Sequence, residues 1–99
     1  MRDVFEGIVS ALERNEKAAL VTVTRTIGST PRKAGAKMLV LSNGETVGTI
    51  GGGCVEAQLW REVREVMKSG RPKLFLQRVA EGAGAEVTGM TEMFIEPIG

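Results

Sequence analysis

Histidine is absent from this chain and cysteine occurs once. No stretch approaches ~18 consecutive apolar residues. Without histidine the usual zinc ligand sets cannot be assembled from one chain, and the lone Cys54 cannot close an internal disulfide. The segment from Met1 to Lys17 is amphipathic with acidic residues and lacks the uninterrupted apolar core of a signal peptide. A cytoplasmic protein with no membrane partner is expected. A dominant charge is missing as well: 13 Lys and Arg stand against 12 Asp and Glu, interspersed along the chain, for a net +1. That balance argues against a nucleic-acid partner. There is no internal repeat and no low-complexity tract.

What remains is an ordinary globular composition, with 42% hydrophobic and 25% charged residues in 99. One core is expected, and a second domain is not, so residues 1–99 are read as a single domain. From Asp3 to Arg14, Val4, Phe5, Ile8, Val9 and Leu12 recur at helical spacing, with Asp3 as N-cap and Glu6 three residues on. Leu20–Ile27 and Ala36–Leu41 read as strands, the second as a central one. Asn43-Gly44 predicts a hairpin into a third strand over Thr46–Ile50. Val55, Leu59, Val63, Val66 and Met67 share one face of a second helix, which starts near Gly53 or Cys54 and stops at Gly70 and Pro72. Lys73–Val79 and Met93–Ile98 read as two more strands, and Ala80–Gly89 between them as loop. The order αβββαββ predicts an α/β (α+β) domain in which a mixed sheet of about five strands packs against two main helices.

Two stretches invite chemistry. In Gly48-Thr-Ile-Gly-Gly-Gly-Cys-Val-Glu56, Gly51, Gly52 and Gly53 lie between a strand and a helix. Main-chain N–H groups and the helix dipole then point at a turn with no side chains to block access, an arrangement that binds anions. Neither the dinucleotide nor the Walker fingerprint is satisfied, and a purely geometric strand-to-helix turn stays open as the alternative. At a helix start, Cys54 has its thiolate favoured, as nucleophile or soft-metal ligand; the alternative is a small buried hydrophobe. The second stretch runs from Gly28 to Lys37. It offers the hydroxyls of Ser29 and Thr30 and the cations Arg32, Lys33 and Lys37, with Pro31 and Gly35 shaping the turn, either as an anion clamp or as a solvated connection. Whether the two stretches meet is not fixed by the sequence. Glu56 is read as complementing the dipole of the second helix, and Trp60 and the methionines as core.

Taken together, Gly28-Ser-Thr-Pro-Arg-Lys-Ala-Gly-Ala-Lys-Met-Leu-Val40 and the Gly48–Glu56 run make the chain resemble the N-terminal domain of the XdhC/CoxI family, maturation factors for molybdenum hydroxylases. The resemblance covers nearly the whole chain, including a closing strand at Glu92–Ile98. It implies a molybdenum cofactor (molybdopterin) as ligand, with the cofactor site at Ser29, Thr30, Arg32, Lys33, Gly51, Gly52, Gly53 and Cys54, and Cys54 near molybdenum or sulfur. The partners it implies are a cysteine desulfurase, a molybdenum hydroxylase subunit and, because longer members carry a C-terminal Rossmann-like domain, a separate Rossmann-domain protein for a stand-alone form. Where the family shows Cys-Gly-Gly before its last strand, this chain has Val87-Thr88-Gly89, so a second thiol is missing. A non-catalytic cofactor chaperone is therefore expected. The alternatives are a Cys54-dependent sulfur-transfer enzyme and a small protein-interaction module without ligand binding. The apolar strand Met93–Ile98 is expected to be a sheet edge and so to favour a homodimer.

Overall fold

The computed structural model describes residues 3–30, 32–51, 57–81 and 86–99. The elements are α1 (Val4–Glu13), β1 (Ala18–Gly28), β2 (Lys37–Leu41), β3 (Thr46–Gly48), α2 (Ala57–Ser69), β4 (Lys73–Glu81) and β5 (Glu86–Ile98). This is the expected αβββαββ order of an α+β domain. The strands form one sheet in the order β3-β2-β1-β5-β4.

The pairings β1–β2, β1–β5, β2–β3 and β4–β5 are all antiparallel, where a mixed sheet was expected. The reason lies in the connection through α2. It joins β3 to β4, which run the same way but occupy opposite edges, so the parallel-oriented strands never become neighbours. The same order corrects the expected edge at Met93–Ile98. These residues belong to β5, held between β1 and β4, and the free edges are β3 and β4.

Local signals hold where they are made by neighbours in sequence. Asp3 caps α1 by accepting from the Phe5 N–H at 3.1 Å. In the hairpin turn Gly44 has φ +91° and the Asn43 side chain accepts from the Glu45 N–H at 2.9 Å. Of the segment expected as loop over Ala80–Gly89, the described residues 80–81 and 86–89 are strand, with Val79 paired to Gly89, Ala80 to Val87 and Glu81 to Glu86, and residues 82–85 lie outside the described residues. The sequence of this segment carries no alternation, and the extended form of residues 80–81 and 86–89 is set by cross-strand pairing rather than by side-chain pattern.

The two faces of the sheet are covered unequally. Against α2 pack Ala19, Val21, Val23, Met38, Val40, Phe75, Met93 and Ile95, closed by Leu59, Val63 and Val66 from the helix. Val55, expected on that helix face, lies outside the described residues. Against α1 packs a smaller cluster of Ala18, Leu39, Leu41 and Val47. On that side Leu74 and Leu76 of β4 remain 56% and 51% exposed.

One irregularity positions the site. Val23 pairs with Met93 and Arg25 with Glu92, leaving Thr24 as an extra residue in β1, a β-bulge. The Thr24 hydroxyl lies 3.1 Å from the Glu92 carbonyl and 2.9 Å from its carboxylate. Up to the bulge, odd-numbered residues of β1 face α2; beyond it Thr26 pairs with the buried Thr91, so even-numbered residues take that face.

Candidate functional site

At the end of the α2-covered face, past the bulge, the apolar core gives way to polar side chains. Among the described residues the buried polar side chains are Arg32, Gln77 and Thr91, at 4%, 3% and 0% exposure, and all three lie here. Gln77 and Thr91 are cross-strand partners on β4 and β5. Arg32, reached through the loop that follows β1, donates from Nε to Gln77 Oε1 at 3.1 Å and from Nη1 to the Gly51 carbonyl at 2.7 Å. A buried guanidinium is tolerated only where acceptors face its fork, and these two carbonyl oxygens supply two of them.

The loop is pinned at several further points. The Thr30 and Thr91 hydroxyls lie 2.9 Å apart, and Thr30 Oγ1 also accepts from the Arg32 N–H at 3.3 Å. The Ser29 N–H donates to the Thr88 carbonyl at 3.0 Å. Gly28 pairs with Gly89, and a Cβ on Gly89 would run into the carbonyl oxygens of Ser29 and Ile27, the latter at 2.7 Å. The two main chains therefore approach more closely than any side chain permits. Gly35 at φ +91° closes the loop back onto β1, its N–H donating to the Val23 carbonyl at 2.7 Å.

The adjacency left open by the sequence is thus present: Arg32 joins the Gly28–Gly35 loop to the first glycine of the Gly51–Gly53 run. Gly51 has φ +90°, and its N–H donates to the Thr49 hydroxyl at 3.1 Å. Ser29 and Lys33 are exposed at the loop surface, Thr30 is half-buried and Arg32 is buried. Gly52, Gly53, Cys54 and Glu56, with the expected helix start near Gly53 or Cys54, lie outside the described residues. Lys37 turns from this group to β2, where its Nζ donates to the Thr22 hydroxyl at 3.3 Å. Trp60 packs against the core, as expected.

Gln77 and Thr91 escaped the sequence reading. The available signal was parity: Gln77 lies two residues after the buried Phe75 on the same strand face, so a polar residue was due to be buried there. Among the described residues no group of three or more acidic, cysteine or histidine side chains is arranged to hold a metal ion. No helix among them is long and apolar enough to cross a membrane.

The pattern of the XdhC and CoxI family matches residues 11–79. The chain is 39% identical over 72 residues to the molybdenum cofactor insertion chaperone PaoD of Escherichia coli strain K12, covering 73% of this chain and 23% of that protein. It is 34% identical over 97 residues to the uncharacterized protein YqeB of the same strain, covering 94% of this chain and 18% of YqeB. With a probable xanthine dehydrogenase subunit of Bacillus subtilis strain 168 it shares 42% identity over 60 residues, 60% of this chain and 18% of that one. The fold is similar to a crystal structure described as a xanthine dehydrogenase from Bacillus halodurans, with a TM-score of 0.74 and 25% identity over 95% of this chain and 30% of that one. The chain thus spans about a fifth of the length of the curated relatives it matches.

Proposed function

Because the chain belongs to the XdhC and CoxI family, we propose that it is a molybdenum-cofactor-binding chaperone domain serving the maturation of a molybdenum hydroxylase. The observation that carries this reading is the 2.7 Å hydrogen bond from Arg32 to the Gly51 carbonyl, which makes one site of two loops rich in donors. Likeness to a cofactor insertion chaperone supports the choice of cargo. Arg32 and Thr30 act as struts. Ser29 and Lys33, exposed on the pinned loop, take the anionic phosphate of the pterin by hydrogen bond and ion pair. The main chain of Gly51, Gly52 and Gly53 admits the cofactor at close range, and Cys54 approaches molybdenum or its sulfur ligand. The domain works in the cytoplasm by contact with its client hydroxylase, with a cysteine desulfurase supplying sulfur and a separate Rossmann-domain protein as a further partner. A homodimer would pair through β4, the longer free edge.

The test is purification of the chain from cells that make the cofactor, with molybdenum and pterin measured on the same sample. Matching amounts of both are expected, reduced in Lys33→Ala and Ser29→Ala variants that keep the wild-type melting temperature. Neither component above the level carried by an unrelated protein would overturn the reading. Cys54→Ser, with cofactor retained and sulfur transfer lost, would move the assignment to a sulfur-transfer enzyme.

A further inference from the structure

The opposite end of the sheet carries a second feature that the cofactor reading does not use. β1 is 11 residues long, so its ends lie about 33 Å apart at ~3.3 Å per residue. At the end remote from Gly28 an open groove of about 490 Å³ is lined by Arg61, Arg64 and Lys68 of α2 and by Lys17 and Ser42 from the segments flanking β1 and β2. Met67 and Glu65 complete it. Four cations there face one carboxylate, in a chain whose net charge is only +1.

Two observations set these cations apart from ordinary surface charge. The ion pairs among the described residues lie elsewhere, at Arg14–Glu16, Arg25–Glu92 and Lys73–Glu62, and Glu65 itself lies 3.9 Å from Lys73. The sheet-side wall is also fixed: the Ser42 N–H donates to the Lys17 carbonyl at 3.1 Å, tying together the segments that flank β1 and β2. Positions 61, 64 and 68 follow one helical stripe, spanning about 10 Å along the axis. That is wider than one phosphate group and suits two or three linked phosphates, each able to take a guanidinium fork.

We infer that the groove between Lys17, Ser42, Arg61, Arg64 and Lys68 binds a di- or triphosphate group. The inference does not rest on the cofactor reading, because the groove lies at the other end of the sheet. The experiment titrates the full chain with inorganic tripolyphosphate and with ATP, following backbone amide shifts by NMR and affinity by calorimetry. Shifts are expected at Lys17, Ser42, Arg61, Arg64 and Lys68. Affinity is expected to fall about tenfold in Arg61→Gln/Arg64→Gln, to weaken as salt shortens the screening length, and to be unchanged in Arg78→Gln on β4. Tighter binding of ATP assigns a nucleotide as the source of the phosphates, and equal binding assigns free polyphosphate. Equal affinity in wild type and the double variant, shifts confined to the Gly28–Gly51 loops, or binding of polyglutamate without tripolyphosphate would each overturn the inference.

Discussion

The two ends of the sheet hold their cations in opposite ways. At the Gly28 end Arg32 is 4% exposed, with its fork donated to Gly51 and Gln77. At the Lys17 end Arg61, Arg64 and Lys68 stand exposed with no ion pair among the described residues. A buried guanidinium is committed to architecture, because losing its acceptors leaves polar atoms without water or partner. An exposed cation is available to a ligand and contributes little to stability. The same residue type thus builds one end and equips the other.

Substitutions that breach the buried end should therefore have the largest effects on folding. Gly89→Ala places a Cβ against the Ser29 and Ile27 carbonyls and is expected to cost about 3 kcal/mol in denaturant unfolding. A loss under ~1 kcal/mol would show that the β1–β5 approach relaxes freely. Arg32→Ala removes the donor that reaches the Gly51 carbonyl and Gln77 Oε1, with an expected loss of about 2 kcal/mol that Arg32→Lys fails to restore because a single ammonium cannot replace the fork. Thr91→Val removes only the hydroxyl partner of Thr30, for about 1 kcal/mol. Arg61→Gln/Arg64→Gln at the exposed end should change stability by less than ~0.5 kcal/mol while altering anion binding. A large destabilisation there would erase the contrast between the two ends.

The smallest effect is a pH dependence. A hydrogen bond from Lys73 to Glu62, with the charges of Glu62 and Glu65 beside it, raises the Lys73 pKa above its ordinary 10.5. A raised pKa means that the protonated form is favoured in the folded state. Its contribution is therefore complete below about pH 10.5 and is lost as pH rises through the folded-state value. Melting temperature should fall above that pH more steeply in wild type than in Lys73→Met, and parallel curves would show that the pair does not contribute.

What the sequence disclosed depended on range. Asp3 as N-cap, the Asn43-Gly44 hairpin and the buried stripe Leu59, Val63 and Val66 are decided within a few residues, and all three hold. Strand neighbours are decided across the chain. Met93–Ile98 looked like an edge because apolar strands pair wherever a partner exists, and nothing in those residues states that β4 lies beyond them. The strand residues 80–81 and 86–89 were hidden for a related reason: their extended form is imposed by cross-strand pairing. At the site, Ser29, Thr30, Arg32 and Lys33 were legible as polar residues in a constrained loop, whereas the burial of Arg32 was not. Burial required Gln77, 45 residues away, to be turned inward to meet it.

Thr24 gives the chain a single-residue phase inversion. Everything in β1 after it is displayed half a period out of step with what precedes it, so one strand serves an apolar layer first and a polar one later. A strand of the same length without the bulge, with Thr24 opposite Glu92, would carry Ile27 inward, move Thr26 off the face of Thr91 and part Gly28 from Gly89. Deleting Thr24 instead closes the bulge and leaves Arg25 opposite Glu92 and Gly28 opposite Gly89. The strand therefore tolerates the loss of one residue at this point, a spacing rule that acts on the count of residues rather than on their identity.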